Sequence, residues 1–192
     1  MRRRFVLLLP VAAAACGPLP PRPEAVTLPD SARAQFGFSD PARSAILSAS
    51  FVFGQPGSVA GDPAAAAEAL AQLEFLAVEL ATDQRWIGLD PLVVPQLAGG
   101  RAEARAAFGL DPAAPPQRAL NALYATAAAL RGGDRDAALA ALASLTGPGR
   151  AEATLGRLAA LPHLPQAAAA TARARNGMRM MDQDNGRNRF RL

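Results

Sequence analysis

From Pro41 onward, apolar positions come in short periodic runs cut apart by Gly and Pro, and the period is helical. The longest run places Leu70, Leu73, Ala77 and Leu80 at three-four spacing with Leu76 beside them. This predicts a helix over 63–87, with Glu68, Gln72, Glu79 and Asp83 facing water and Gly88 as its stop. A helix over 41–53 takes Ile46, Leu47, Phe51 and Phe53 as its apolar weight. Asp40-Pro41, Asp62-Pro63, Asp90-Pro91 and Asp111-Pro112 each pair an N-cap acceptor with a residue that has no amide to leave orphaned. A short piece after Pro91 is expected to break at Gly99-Gly100, ahead of a helix over 101–108. Four further helices, at about 116–131, 134–146, 149–161 and 164–180, are separated by Gly132-Gly133, Gly147-Pro148-Gly149 and Pro162-His163-Leu164-Pro165. Connections this short fold neighbouring helices back antiparallel. No stretch has the period-two alternation of a strand. The prediction is an all-α, antiparallel bundle of about six to seven helices.

Composition agrees with helices and narrows the chemistry. Alanine, the strongest helix former, makes up about a quarter of the 192 residues, and lysine is absent. With no lysine, a Schiff base or a lysine general base is excluded. One cysteine and one histidine, Cys16 and His163, cannot build a His/Cys metal site, and no internal disulfide can form. No Gly-x-Ser-x-Gly elbow accompanies Ser48 or Ser144, and no phosphate-cradling loop is present. Glu79 and Asp83 stand one turn apart and read as neighbours on a wet helix face rather than a catalytic or metal pair. The expectation is no catalytic residue, no metal and no cofactor. Trp86 and Tyr124 are the only large polar-tipped aromatics, and Trp86 reads as core, with a pocket or interface as the alternative. Met178, Met180 and Met181 with Arg175 and Arg179 form a small amphipathic end to the last helix; the polar run from Asp182 to Asn188 makes it read as a frayed, solvated terminus, with a partner or lipid surface as the alternative.

Ahead of the helices lies a different kind of sequence. Arg2-Arg3-Arg4 forms a basic start, Phe5 to Ala15 an apolar run broken at Pro10, and Ala13-Ala14-Ala15-Cys16-Gly17 a small-residue cleavage region. The apolar run is shorter than the roughly 20 residues that span a bilayer. These residues resemble the signal peptide and lipobox of bacterial lipoproteins, with Ala13 where that family usually has Leu. The resemblance implies cleavage before Cys16, a diacylglycerol on its thiol, and often an acyl chain such as palmitate on the new amino group. It also implies residence in the cell envelope. Gly17, rather than Asp, after the cysteine favours the periplasmic face of the outer membrane over the inner membrane. The alternative is an ordinary cleaved signal with an incidental cysteine.

Charge changes meaning under that reading. The formal +4 suggests nucleic acid, but loss of Arg2, Arg3 and Arg4 reduces 20 arginines to 17 against 16 acids. Between Gly17 and Ala172 there are 11 arginines and 14 acids. No nucleic-acid partner is expected. The expected layout is a signal at 1–15, the lipidated cysteine and a Pro-rich linker at 16–31, a helical domain at 32–181, and a disordered polar basic tail at 182–192.

Leu130-Arg131-Gly132-Gly133-Asp134 also looks like the inter-helix turn of a tetratricopeptide repeat, but no second copy recurs at its period, so an antiparallel hairpin is expected. For the whole chain the favoured function is a lipid-anchored envelope protein whose non-catalytic body serves as an interaction or accessory module, with an envelope protein as possible partner. The alternative is a periplasmic carrier for a lipid or other apolar ligand, which should enclose a cavity of several hundred Å³.

Overall fold

The computed structural model describes residues 25–37 and 39–189. Among them the chain forms eight α-helices and no strand: α1 (Asp30–Phe36), α2 (Pro41–Gly54), α3 (Pro63–Thr82), α4 (Val93–Phe108), α5 (Pro116–Arg131), α6 (Arg135–Thr146), α7 (Ala151–Ala159) and α8 (Pro165–Arg189). Single 3-10 turns at Pro56–Val59 and Gln84–Trp86 follow α2 and α3. The all-α bundle is as expected, with one short helix, α1, beyond the anticipated number.

Two of the four Asp-Pro pairs start helices. The Asp40 carboxylate accepts from the amides of Ala42 (2.9 Å) and Arg43 (3.2 Å), and that of Asp62 from Ala65 (2.9 Å). Asp134, which no proline follows, caps α6 in the same way. Asp90 and Asp111 instead bond the amides two residues on, of Leu92 and Ala113, and make turns. At Asp111 the reason is local: Pro115 disfavours helical backbone at Ala114, so the helix starts only at Pro116.

Helix α3 is the hub. It packs against α2, α4, α5 and α7, while α8 lies along α4 and α2, and α6 packs on α5 and α7. Encirclement overturns the expected wet face. Gln72 and Glu74 are buried, Glu68 and Glu79 are largely covered, and Arg131 reaches across from the end of α5 to bond Glu68. The helix also stops at Thr82, five residues early. Asp83 turns the chain by accepting from the Arg85 amide (2.9 Å), and Trp86 then folds under the helix end at 6 % exposure.

Gly99-Gly100 does not break α4, which runs unbroken through both. A Cβ on Gly100 would sit 2.8 Å from Ala167 Cα, so the glycine lets α8 come against the α4 backbone. That packing overrides a helix propensity cost of about 1 kcal/mol per glycine. Glu103 of α4 then accepts from the Ala167 amide (2.9 Å), satisfying a donor at the start of α8. On α2, Leu47 and Phe51 were expected to be core but are each 52 % exposed; Ala42, Ala45, Ile46, Ala49 and Phe53 fill the inner face instead. Helix α8 continues past 181 to Arg189, and Asp182 is held by Arg43.

Candidate functional site

The described chain begins as an extended segment, 25–29, that was expected to belong to the linker. It is docked on the body. The Thr27 amide donates to Gln117 Oε1 (2.7 Å), Gln117 Nε2 donates back to the Thr27 carbonyl (2.8 Å), and Leu28 is buried. Val26, Thr27 and Leu28 line a groove of about 320 Å³ with Pro41, Glu79 and Arg85.

Those neighbours belong to one end of the bundle. Arg85 donates to Asp40 (2.7 Å) and Glu79 (2.6 Å) there and forms an ion pair with Asp83 (2.9 Å). Its guanidinium carbon lies 5.2 Å from the centre of the Trp86 ring. Glu79 and Asp83, weighed as a possible pair, therefore converge on a cation. Burial raises the Glu79 carboxyl above its ordinary value despite the opposing hydrogen bond from Arg85. Arg43 pairs with Asp182 nearby, and that hydrogen bond lowers the Asp182 carboxyl and raises the Arg43 guanidinium. Asp90 is lowered chiefly by the Leu92 amide and then by Arg173, which bonds it at 2.8 Å.

The other candidate residues do not come together. His163 is exposed in the α7–α8 connection, Ser48 is exposed on α2, and Ser144 on α6 donates to the Ala141 carbonyl (2.6 Å). Among the described residues no group of three or more His, Cys, Asp or Glu is placed to hold a metal ion. Tyr124 is buried, and burial pushes its phenol well up. Met178 is buried, whereas Met180 is 66 % exposed. The Gly132-Gly133-Asp134 turn joins α5 and α6 as a hairpin, with Gly133 at φ 75°. Cys16 and the residues before it lie outside the described residues.

A second feature went unseen in the sequence. Arg105 Nε and Nη2 donate to the two Glu74 oxygens (2.6 and 2.8 Å), and Nη1 donates to the carbonyls of Pro112 and Ala114 (2.9 Å each). The pair is buried and ties the α4–α5 connection to α3. A lone acid between Leu73 and Phe75 was the available signal.

The larger depressions are surface grooves. One of about 600 Å³ runs between α5 and α6 over Ala122, Ala125 and Ala141, with Gln117 and Asn121 at its rim. No helix among the described residues is long and apolar enough to cross a membrane. In comparisons with known proteins, no family model, curated protein or solved structure matches the chain.

Proposed function

We propose that this chain is a bacterial envelope lipoprotein, anchored by acyl chains on Cys16, whose helical body works as an interaction module rather than an enzyme. The observation that carries the reading is the order along the chain: basic start, short apolar run, Ala13-Ala14-Ala15-Cys16, a proline-rich stretch, and then a body that begins at 25–29. A leader of that kind would deliver one acylated cysteine to a helical body, and two or more acyl chains give stable membrane attachment where one is marginal. The non-catalytic part of the reading draws on the scatter of His163, Ser48 and Ser144 and on the capture of Glu79 and Asp83 by Arg85.

The carrier reading keeps one supporting feature, the alanine-floored groove between α5 and α6. It is an open trough rather than an enclosed cavity, and an interaction surface uses such a shape equally well. Metabolic labelling with a fatty acid tests the anchor. Label in the wild type that disappears in Cys16→Ala is expected, and equal label in both sinks it. Crosslinking in the envelope tests the module: a reproducible protein partner is expected, and co-purifying lipid without one favours the carrier.

A further inference from the structure

We infer that the end of the bundle where residues 25–29 join it is a membrane-contacting surface, which rests against the bilayer that the proposed anchor at Cys16 would occupy. The inference rests on that anchor reading for its occupant and on the following geometry for its place.

Five large apolar side chains are exposed among the described residues: Leu47, Phe51, Ile87, Leu92 and Met180. Three of them, Ile87, Leu92 and Met180, belong to one end, and Leu47 stands at the middle of α2. Leu47 lies one turn, about 6 Å, along α2 from Arg43, and Met180 lies two residues from Asp182, the partner of Arg43. Leu92 is two residues from Asp90, which pairs with Arg173 of α8, and Leu89 packs where a Cβ on Gly177 would be 2.7 Å from its Cδ1. Ile87, 79 % exposed, follows Trp86 beside Arg85, which reaches the Asp40 cap of α2. Phe51 extends the same outer face one turn along α2. Single exposed apolar residues are ordinary, but three at one end are not.

The chain path selects the occupant. Val26 to Leu28 dock beside Pro41, Glu79 and Arg85, so the segment leading back to Cys16 leaves from this end. Docking of 25–29 leaves nine residue steps between Cys16 and Ala25, which reach at most about 32 Å. An acylated Cys16 would therefore hold the body by this end, within about 32 Å of lipid. Charge sets the mode of contact. Asp40, Glu79 and Asp83 share Arg85, Asp182 holds Arg43, and Asp90 holds Arg173. With most charge paired locally, apolar insertion supplies the attraction. Arg179, exposed one turn before Asp182 on α8, adds a modest preference for anionic headgroups.

The test uses the processed chain from residue 16 onward, which contains every described helix, with Cys16→Ser to remove acylation and the native thiol. A single cysteine at Ile87→Cys or Leu92→Cys carries an environment-sensitive fluorophore; Ser58→Cys, exposed in the turn before α3 at the other end, is the control. Phosphatidylcholine vesicles and vesicles containing phosphatidylglycerol are added in turn. The expected result is a several-fold rise in emission at 87 and 92 with both vesicles, a few-fold tighter on the anionic ones, and no change at 58. Ile87→Asp with Leu92→Asp should lower vesicle partition about tenfold while the melting temperature stays put. No partition, an equal response at 58, or a signal that grows with protein concentration without vesicles (a second copy covering the face) overturns the inference. Fatty-acid labelling fails or succeeds independently: vesicle contact without label removes the anchor and leaves the surface, and label without vesicle contact does the reverse.

Discussion

Arg105 grips Glu74 through hydrogen bonds of 2.6 and 2.8 Å, and Arg43 grips Asp182 through bonds of the same two lengths. The first pair is 6 % and 3 % exposed at the hub of the bundle; the second has side chains 41 % and 47 % exposed at the rim. Geometry being equal, environment separates them. The interior pair has given up its water and depends on its partners, including the Pro112 and Ala114 carbonyls, so losing one member strands a charge. The rim pair can fall back on solvent. The bundle thus has an inner part around α3 where small changes are costly, and a rim of ion pairs and exposed apolar side chains that stability does not need.

The largest effect should come from halving the interior pair. Arg105→Ala or Glu74→Ala should cost about 3–5 kcal/mol in denaturant unfolding, whereas Arg105→Met with Glu74→Leu should recover most of it. If either single variant costs no more than a rim variant, the contrast between the regions is wrong. Next come two glycines facing different neighbours. Gly100→Ala drives a methyl into the Ala167 backbone and should cost about 1–3 kcal/mol, shown as a lowered denaturation midpoint. Gly177→Ala meets only the end of the Leu89 side chain, which can rotate away, and should cost less. A larger loss at Gly177 would place the tight contact at the rim.

The smallest effect belongs to the rim pair. Asp182→Asn should cost below about 1 kcal/mol at neutral pH and less in high salt. Its sign with pH is fixed. Asp182 has a lowered folded pKa, so its contribution is present above the ordinary carboxylate value and is lost as pH falls through the lower folded one. Glu79 runs the other way: its folded pKa is raised, so its contribution holds at low pH and is lost as pH rises from about 4.5 through the higher folded value. Stability against pH for Asp182→Asn and Glu79→Gln should therefore diverge from wild type in opposite directions. Parallel curves would contradict the assignment.

The same division explains which parts were legible in the sequence. Helices α2, α3, α5 and α6 begin where a capping acid or a proline permits, because those signals act within a few residues. What a helix face meets is set by distant chain. Gln72 looks solvated until four helices surround α3, and Leu47 and Phe51 look like core until alanines and Phe53 fill the inner face of α2. Gly99-Gly100 looks like a break until Ala167 arrives against it. An alanine-rich chain makes this ambiguity worse, since small apolar residues mark no face strongly. Of the candidate site, Cys16, Trp86 and the Met180 end carried visible signals. Ile87 and Leu92 did not, because exposure alone makes them notable.

Hydrogen–deuterium exchange on the chain from residue 16 onward, with and without vesicles, tests the two-region account most directly. Vesicles should slow exchange at 83–92, at the start of α2 and in α8 from about 177 onward, and leave α3 and the α5–α6 hairpin unchanged. Slowing confined to α5 and α6, or spread evenly over the bundle, would contradict it.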